Sequence, residues 1–206
     1  MKRLILVFML FQAVWGMHAQ TMREVWIQMP DTIAPYLTES NRTELADYMD
    51  MGVEAELKNA LGDTTRVSCM TSDYLSVQLN AATQLELKLL EKRDGGKVIC
   101  MVTTYSGPAA ESALAFYTTS WEKLEQPLMR PVVRARFMQQ PEDMSDERFE
   151  EIRGMLEPAL VEMHLSSDDR SLIMGYSLPE LPEEDIVMIK PLLVQTKLNW
   201  NGERFN

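Results

Sequence analysis

Histidine is almost missing from this 206-residue sequence: His18 and His164 are the two, and the first lies in an apolar N-terminal segment. That count excludes a three-histidine metal centre and, once the leader is set aside, any site needing two imidazoles. Glycine is sparse as well, with 9 residues and no G-x-G-x-x-G or G-x-x-x-x-G-K loop to cradle a phosphate. A G-x-S-x-G nucleophile elbow is absent too. No cofactor or metal is therefore expected. Basic residues are outnumbered, 20 Lys and Arg against 31 Asp and Glu, for a formal charge of −11. Such a surface repels phosphate backbones and gives anionic lipid nothing to hold, so nucleic acid is not an expected partner. After residue 19 no stretch reaches 18 apolar residues without a charge, so no transmembrane segment is expected in the mature chain.

The N-terminus has Lys2 and Arg3, then a run from Leu4 to Trp15 that is apolar except for Gln12. At 1.5 Å per residue this run spans about 18 Å, well short of a ~30 Å hydrocarbon core. It reads as a signal peptide over 1–19, cleaved between Ala19 and Gln20, although Met17 at the −3 position is bulkier than usual. No cysteine follows the run, so lipid attachment there is chemically unavailable. The expected location is the periplasm or beyond it, and loss of Lys2 and Arg3 would take the charge to −13. An oxidising compartment would permit a disulfide between Cys69 and Cys100, the two cysteines. The alternative is two thiols acting as small apolar side chains.

Residues 20–125 read as a helical pair followed by an antiparallel meander. Thr21 precedes a short helix stopped by Pro30; Asn41 is expected to cap RTELADYMDM, and Gly52 to end it. VEAELKNAL, with Val53, Leu57, Ala60 and Leu61 on one stripe, predicts the second helix of the pair. Runs at 66–71, 74–79, 84–91, 97–105 and 113–119 are then short and separated by turn residues, which predicts strands. Leu85, Leu87 and Leu89 alternate with Glu86 and Lys88, so one face of that strand is expected to be wet. Val98 to Val102 is apolar throughout, as in a strand covered on both faces.

The proline-rich stretch near residue 126 is the expected boundary to a second α+β subdomain over 126–206. RPVVRARF alternates as a strand would, SDERFEEIRGML predicts a helix capped by Ser145, and strands follow at 159–166 and 170–178. PEEDIVMIK predicts another short helix, and LLVQTKLNW a final strand ending at Asn201-Gly202, a hairpin signal. MLEPALVEMHLS and MIKPLLVQTKLN match at Met155/Met188, Pro158/Pro191, Leu160/Leu193, Val161/Val194 and Leu165/Leu198. This helix-Pro-strand pseudo-repeat suggests the split order β-α-β-β-α-β. The expected fold class is α+β: mostly antiparallel sheet with helices packed on one face.

Chemistry-bearing residues are few. His164 lies alone in a predicted strand. The paired acids Glu142-Asp143, Asp146-Glu147, Glu150-Glu151 and Glu183-Asp185 sit near helix starts, where the macrodipole favours them. Of 16 methionines, 13 follow residue 19; Met49-Asp50-Met51 is the nearest to a cluster that soft metals favour, and the rest sit at core-like positions. Arg130, Arg134 and Arg136 form a cationic stripe, either a docking face for an acidic partner or glycan or the outward charge of an edge strand. Trp26, Trp121, Trp200, Tyr36, Tyr105 and Tyr117 can line a sugar or peptide groove, but they are scattered and read mostly as core.

The stretches TMREVWIQMPDTIAPYLTESNRTELADYMD, VICMVTTYSGPAAESALAFYTTSW, SDERFEEIRGMLEP and PLLVQTKLNWNGERF resemble a family of uncharacterised secreted proteins of about 200 residues from Bacteroidales. The resemblance implies a periplasmic or secreted α+β protein with no assigned activity and brings no catalytic residues. The expected function is a non-enzymatic, exported binding or accessory module for a protein, peptide or glycan of the cell envelope. The alternatives are a hydrolase whose carboxylates converge only in the fold, and a structural subunit of an envelope assembly.

Overall fold

The computed structural model describes residues 20–206. The expected leader, Ala19 included, lies outside the described residues, and Gln20 is the first of them. Helix α1 (Met22–Ile27) starts in a reciprocal capping box between Thr21 and Glu24. Helix α2 (Glu39–Met51) is capped by Thr38, not Asn41; Asn41 sits at the third helical position, and its side chain returns the bond to the Thr38 N–H. Gly52, at φ 68°, closes α2 in the left-handed conformation expected of it.

Six strands follow in sequence order, all antiparallel: β1 (Glu56–Lys58), β2 (Thr64–Met70), β3 (Tyr74–Asn80), β4 (Thr83–Glu91), β5 (Lys97–Tyr105) and β6 (Glu111–Thr118). The second helix expected over VEAELKNAL is not there; its middle is edge strand β1. Asn59 is the reason. Its buried carboxamide accepts from the N–H groups of Leu61 and Asp63 and donates to Thr65 Oγ1 and the Leu79 carbonyl. A side chain that offers the backbone these bonds competes successfully with a helix ladder.

One face of the six-stranded sheet carries α1 and α2 over a core that includes Trp26, Leu45, Leu75, Leu87 and Ile99. The other face is covered by a second, three-stranded antiparallel sheet, β7 (Val161–Leu165), β8 (Ser171–Tyr176) and β9 (Thr196–Asn199). Val98, Cys100, Val102 and Phe116 from the large sheet share a cluster with Leu165, Leu172, Leu198 and Phe205. The segments on either side of residue 126 therefore meet in this apolar cluster. Val98 to Val102 is buried at every position, as its continuous apolar run requires.

Helices α3 (Asp146–Gly154), capped by Ser145, and α4 (Glu183–Ile189) pack together through Ile152, Leu156, Ile189 and Leu192. RPVVRARF is a correction. Instead of a strand, Arg134–Phe137 forms a 3-10 turn that inserts Phe137 into the core, where its ring meets Tyr176 edge-on at 5.4 Å. From there the order is α3, β7, β8, α4, β9, which fits the β-α-β-β-α-β pattern, with isolated bridges at Met129 and Met138 in the place of its leading strand. The Asn201-Gly202 hairpin forms, with Asn199 and Asn206 exchanging both backbone bonds. No helix among the described residues is long and apolar enough to cross a membrane.

Candidate functional site

The helix-bearing face of the large sheet is covered at one end only. Along β5, alternate residues on this face run from fully buried Ile99 through Met101 and half-buried Thr103 to Tyr105, which is 54% exposed. On β6, Tyr117 is buried, Ala115 half-buried and Ala113 exposed. Ala115 and Ala113 stand opposite Met101 and Thr103 in the ladder, and these small side chains leave the floor low. The connection between α1 and α2 forms a wall with Thr32, Ile33 and Tyr36. Floor and wall enclose a cleft of about 490 Å³, within the usual span for ligand sites.

The wall is anchored from below. Arg42, 2% exposed, donates from Nε to the Ile27 carbonyl at 3.2 Å, from Nη1 to Asp31 Oδ1 at 2.9 Å, and from Nη1 to the Leu37 carbonyl. A rigid, planar donor set of this kind ties a loop at several points at once. The Tyr36 carbonyl in turn accepts from Ala60 N–H at 3.1 Å, and the Asn80 amide donates to the Tyr36 hydroxyl at 3.4 Å.

All residues lining the cleft are uncharged: Tyr36, Tyr105 and Tyr117, Thr32, Thr83 and Thr103, Asn80, and the apolar Ile33, Leu79, Leu85 and Met101. Burial raises the Tyr36 phenol above its ordinary range despite the Asn80 hydrogen bond, and burial raises Tyr117 likewise. These phenols stay neutral near pH 7. Tyr36 has the Asn80 bond, but the hydroxyls of Thr32, Thr83, Thr103, Tyr105 and Tyr117 make no hydrogen bond among the described residues. A surface that combines rings with unspent hydroxyls can stack on an apolar face and bond to polar groups around it.

Over residues 14–205 the sequence matches the family described as Protein of unknown function (DUF3256). The chain belongs to this family. A solved structure described as a domain of an uncharacterized protein from Porphyromonas gingivalis W83 is similar to it, with a TM-score of 0.71 at 24% identity over 90% of this chain and 98% of that one. At that identity the likeness shows the fold. No curated protein matches the sequence. The match agrees with the sequence resemblance in that the family is an uncharacterised one, and no function is known for it.

In this family member a second polar group of residues lies between the sheets, where the sequence suggested a wet strand face. Glu86 is 5% exposed and Lys88 2%. Glu86 accepts from the Tyr74 hydroxyl at 2.6 Å and from Leu165 N–H at 3.2 Å. His164 Nδ1 lies 3.4 Å from Glu86 Oε2, and its Nε2 lies 3.2 Å from Glu162 Oε1. Lys88 Nζ pairs with Asp73 at 3.1 Å and donates to the Ser167 carbonyl at 3.2 Å. Among the described residues β7 has no strand neighbour on its outer side. There Met163 N–H donates to Ser112 Oγ at 2.9 Å, as Leu165 N–H does to Glu86. Side chains of one sheet therefore complete the edge of the other, as a buried edge demands.

The remaining predicted residues disperse. Arg130, Arg134 and Arg136 are exposed, and none of their side chains makes an ion pair or hydrogen bond among the described residues. Arg134 and Arg136 lie in the 3-10 turn and Arg130 precedes it, so the three do not form a strand face. Cys69 and Cys100 are free thiols on β2 and β5, with β3 and β4 between them. Three ladder steps of about 4.8 Å keep them roughly 14 Å apart, beyond the ~7 Å that a disulfide tolerates. Trp26, Trp121 and Trp200 are core residues, each donating its ring N–H to a carbonyl: Arg42, Val25 and Glu91 respectively. Asp50 of the Met49-Asp50-Met51 cluster is taken by Arg23 at 2.9 Å. Among the described residues no three His, Cys, Asp or Glu side chains converge as a metal site would need. The sequence did hold a signal for the cleft: Met101, Thr103 and Tyr105 alternate into it, opposite Ala113 and Ala115. Of the six aromatic residues that the sequence offered for a groove, Tyr36, Tyr105 and Tyr117 meet at the cleft, and the three tryptophans are in the core.

Proposed function

We propose that this protein is an exported, non-enzymatic binding module of the cell envelope, and that the tyrosine-lined cleft is its ligand site. The observation that carries the reading is the set of five hydroxyls, on Thr32, Thr83, Thr103, Tyr105 and Tyr117, that make no hydrogen bond among the described residues and line an uncharged, ring-lined recess whose wall is tied down by Arg42. Pre-formed sites with a few convergent polar groups are the usual form of ligand pockets. Export is supported by the cationic and apolar pattern of residues 2–15 and the small Ala19. The hydrolase alternative needs carboxylates that converge. Among the described residues, Glu86 and Glu162 both lie beside His164, but Glu86 is engaged in fastening the sheets, and the pairs Asp47/Asp50 and Glu54/Glu56 are taken by Arg23 and Arg66.

Two measurements test this. Cell fractionation with N-terminal sequencing should find the protein outside the cytoplasm, beginning at Gln20. A thermal-shift screen of saccharides and peptides should give hits for the wild type that are lost in Thr103→Arg, which places a long charged side chain across the cleft. Hits unaffected by that substitution would move the site elsewhere.

A further inference from the structure

The strands and side chains that line the cleft also restrict the chemistry of its ligand. The floor is built from β3 to β6, and β4 and β5 are interior strands paired on both sides. Thr83 pairs with Tyr105, Leu85 with Thr103, and Thr103 with Ala113 on the next strand. Their backbone N–H and C=O groups are spent in the ladder. An extended peptide gains most of its affinity from main-chain bonds to a free sheet edge, and the floor around Thr83, Leu85 and Thr103, on β4 and β5, offers none.

Charge narrows the choice again. With no cation among the lining residues, a phosphate, sulfate or carboxylate would be desolvated without a partner, and with no carboxylate there an ammonium group fares the same. The ligand is therefore electrically neutral. What the cleft does supply is hydroxyl groups, each able to donate once and accept twice, arranged on a floor of two threonines, Thr83 and Thr103, with Thr32 on the wall. At the rim stands Tyr105, whose exposed ring presents an electron-rich face. The polarised C–H groups on one face of a pyranose ring meet such a face well, while its equatorial hydroxyls point outward to hydroxyl partners.

On this basis, and resting on the proposed binding function, we infer that the cleft takes a neutral oligosaccharide, one sugar ring stacked on Tyr105 and its hydroxyls bonded to Thr103 and Thr83. Because the cleft is open on the Tyr105 side, the site suits an internal or terminal unit of a longer glycan.

Isothermal titration calorimetry tests this with the full mature chain and a panel of short neutral oligosaccharides of glucose, mannose, galactose and N-acetylhexosamines, beside uncharged short peptides. At least one oligosaccharide should bind. Tyr105→Ala should weaken it about tenfold or more, Tyr105→Phe much less, and Thr103→Val, which keeps the β-branched shape and removes the hydroxyl, about threefold to tenfold. Val133→Ala, at an exposed site on the far turn, should leave binding unchanged. Peptide binding that falls in Tyr105→Ala and Thr103→Val, with no saccharide bound, would overturn the glycan inference and keep the cleft as the site. Saccharide binding indifferent to both substitutions would overturn the cleft reading itself. Should neither class bind, the inference falls with the reading.

Discussion

The Tyr74 hydroxyl donates a 2.6 Å hydrogen bond to the Glu86 carboxylate across the β3–β4 ladder, directly beneath the strand that carries His164. The contact reverses the simplest expectation for β4. Leu85, Leu87 and Leu89 face the helices as the alternation requires, but the opposite face meets a second sheet instead of water. A carboxylate so placed survives burial because each of its oxygens has a partner.

Removing that acceptor should be costly. Glu86→Ala leaves the Tyr74 hydroxyl and the Leu165 N–H buried and unpaired, each worth about 1–3 kcal/mol, so a loss of roughly 3 kcal/mol is expected from urea denaturation monitored by tryptophan fluorescence. Glu86→Gln retains an acceptor and should cost about 1 kcal/mol. Equal losses for the two variants would show that packing, and not hydrogen bonding, is what the site supplies.

His164 should titrate above the ordinary histidine range. The Glu86 carboxylate beside Nδ1 is the main cause, with Glu162 adding to it and partial burial opposing it. Proton binding is then tighter in the folded state, so the stabilisation is fully present below the unfolded value of ~6.5 and is lost as pH rises through the raised folded value. The ring is 42% exposed, and solvent screening keeps the effect under about 1 kcal/mol. An NMR titration of the ring protons should show the upward shift, and Glu86→Gln should bring it back toward ~6.5. A wild-type value at or below 6.5 would contradict the pairing.

Arg42 sets the wall of the cleft, and its removal should be felt there first. Arg42→Met keeps the apolar stem but frees the carbonyls of Ile27 and Leu37, at a cost of about 2–4 kcal/mol. The connection over residues 28–38 should become the preferred site of limited proteolysis while the β3–β6 region stays resistant. Arg42→Lys should fall between, since an ammonium cannot reach all three acceptors in one plane.

How much of this was legible beforehand follows from where the information lies. The meander from β2 to β6 is local: turn residues at Ser72-Asp73 and Gly95-Gly96 and the unbroken apolar run of β5 all act within a few residues. Helix α3 likewise announces itself through Ser145. Three features do not. β1 replaced a helix because Asn59 bonds to Thr65 and Leu79, partners that only the folded sheet supplies. RPVVRARF alternates like a strand yet turns, because Phe137 is claimed by Tyr176. The polar face of β4 is dry because a sheet formed some 80 residues later covers it. The cleft was visible in part, since Tyr105 and Tyr117 lie on adjacent strands. Tyr36 joins them through a loop whose course is set by Arg42, a residue whose burial contradicts its type.

The two cysteines give the most direct check on the large sheet. With Cys69 on β2 and Cys100 on β5, protein unfolded in denaturant without reductant should show two alkylatable thiols by mass spectrometry, even when isolated from an oxidising compartment. In the native state the two should differ. Cys100 is fully buried, and that burial, with the nearby Glu86 charge, holds its thiol well above the ordinary value, so almost no thiolate is available to react. Cys69 is half-buried and should be alkylated first. A mass two hydrogen atoms lighter before reduction, with neither thiol reactive in denaturant, would require β2 and β5 to be neighbours and would overturn the strand order.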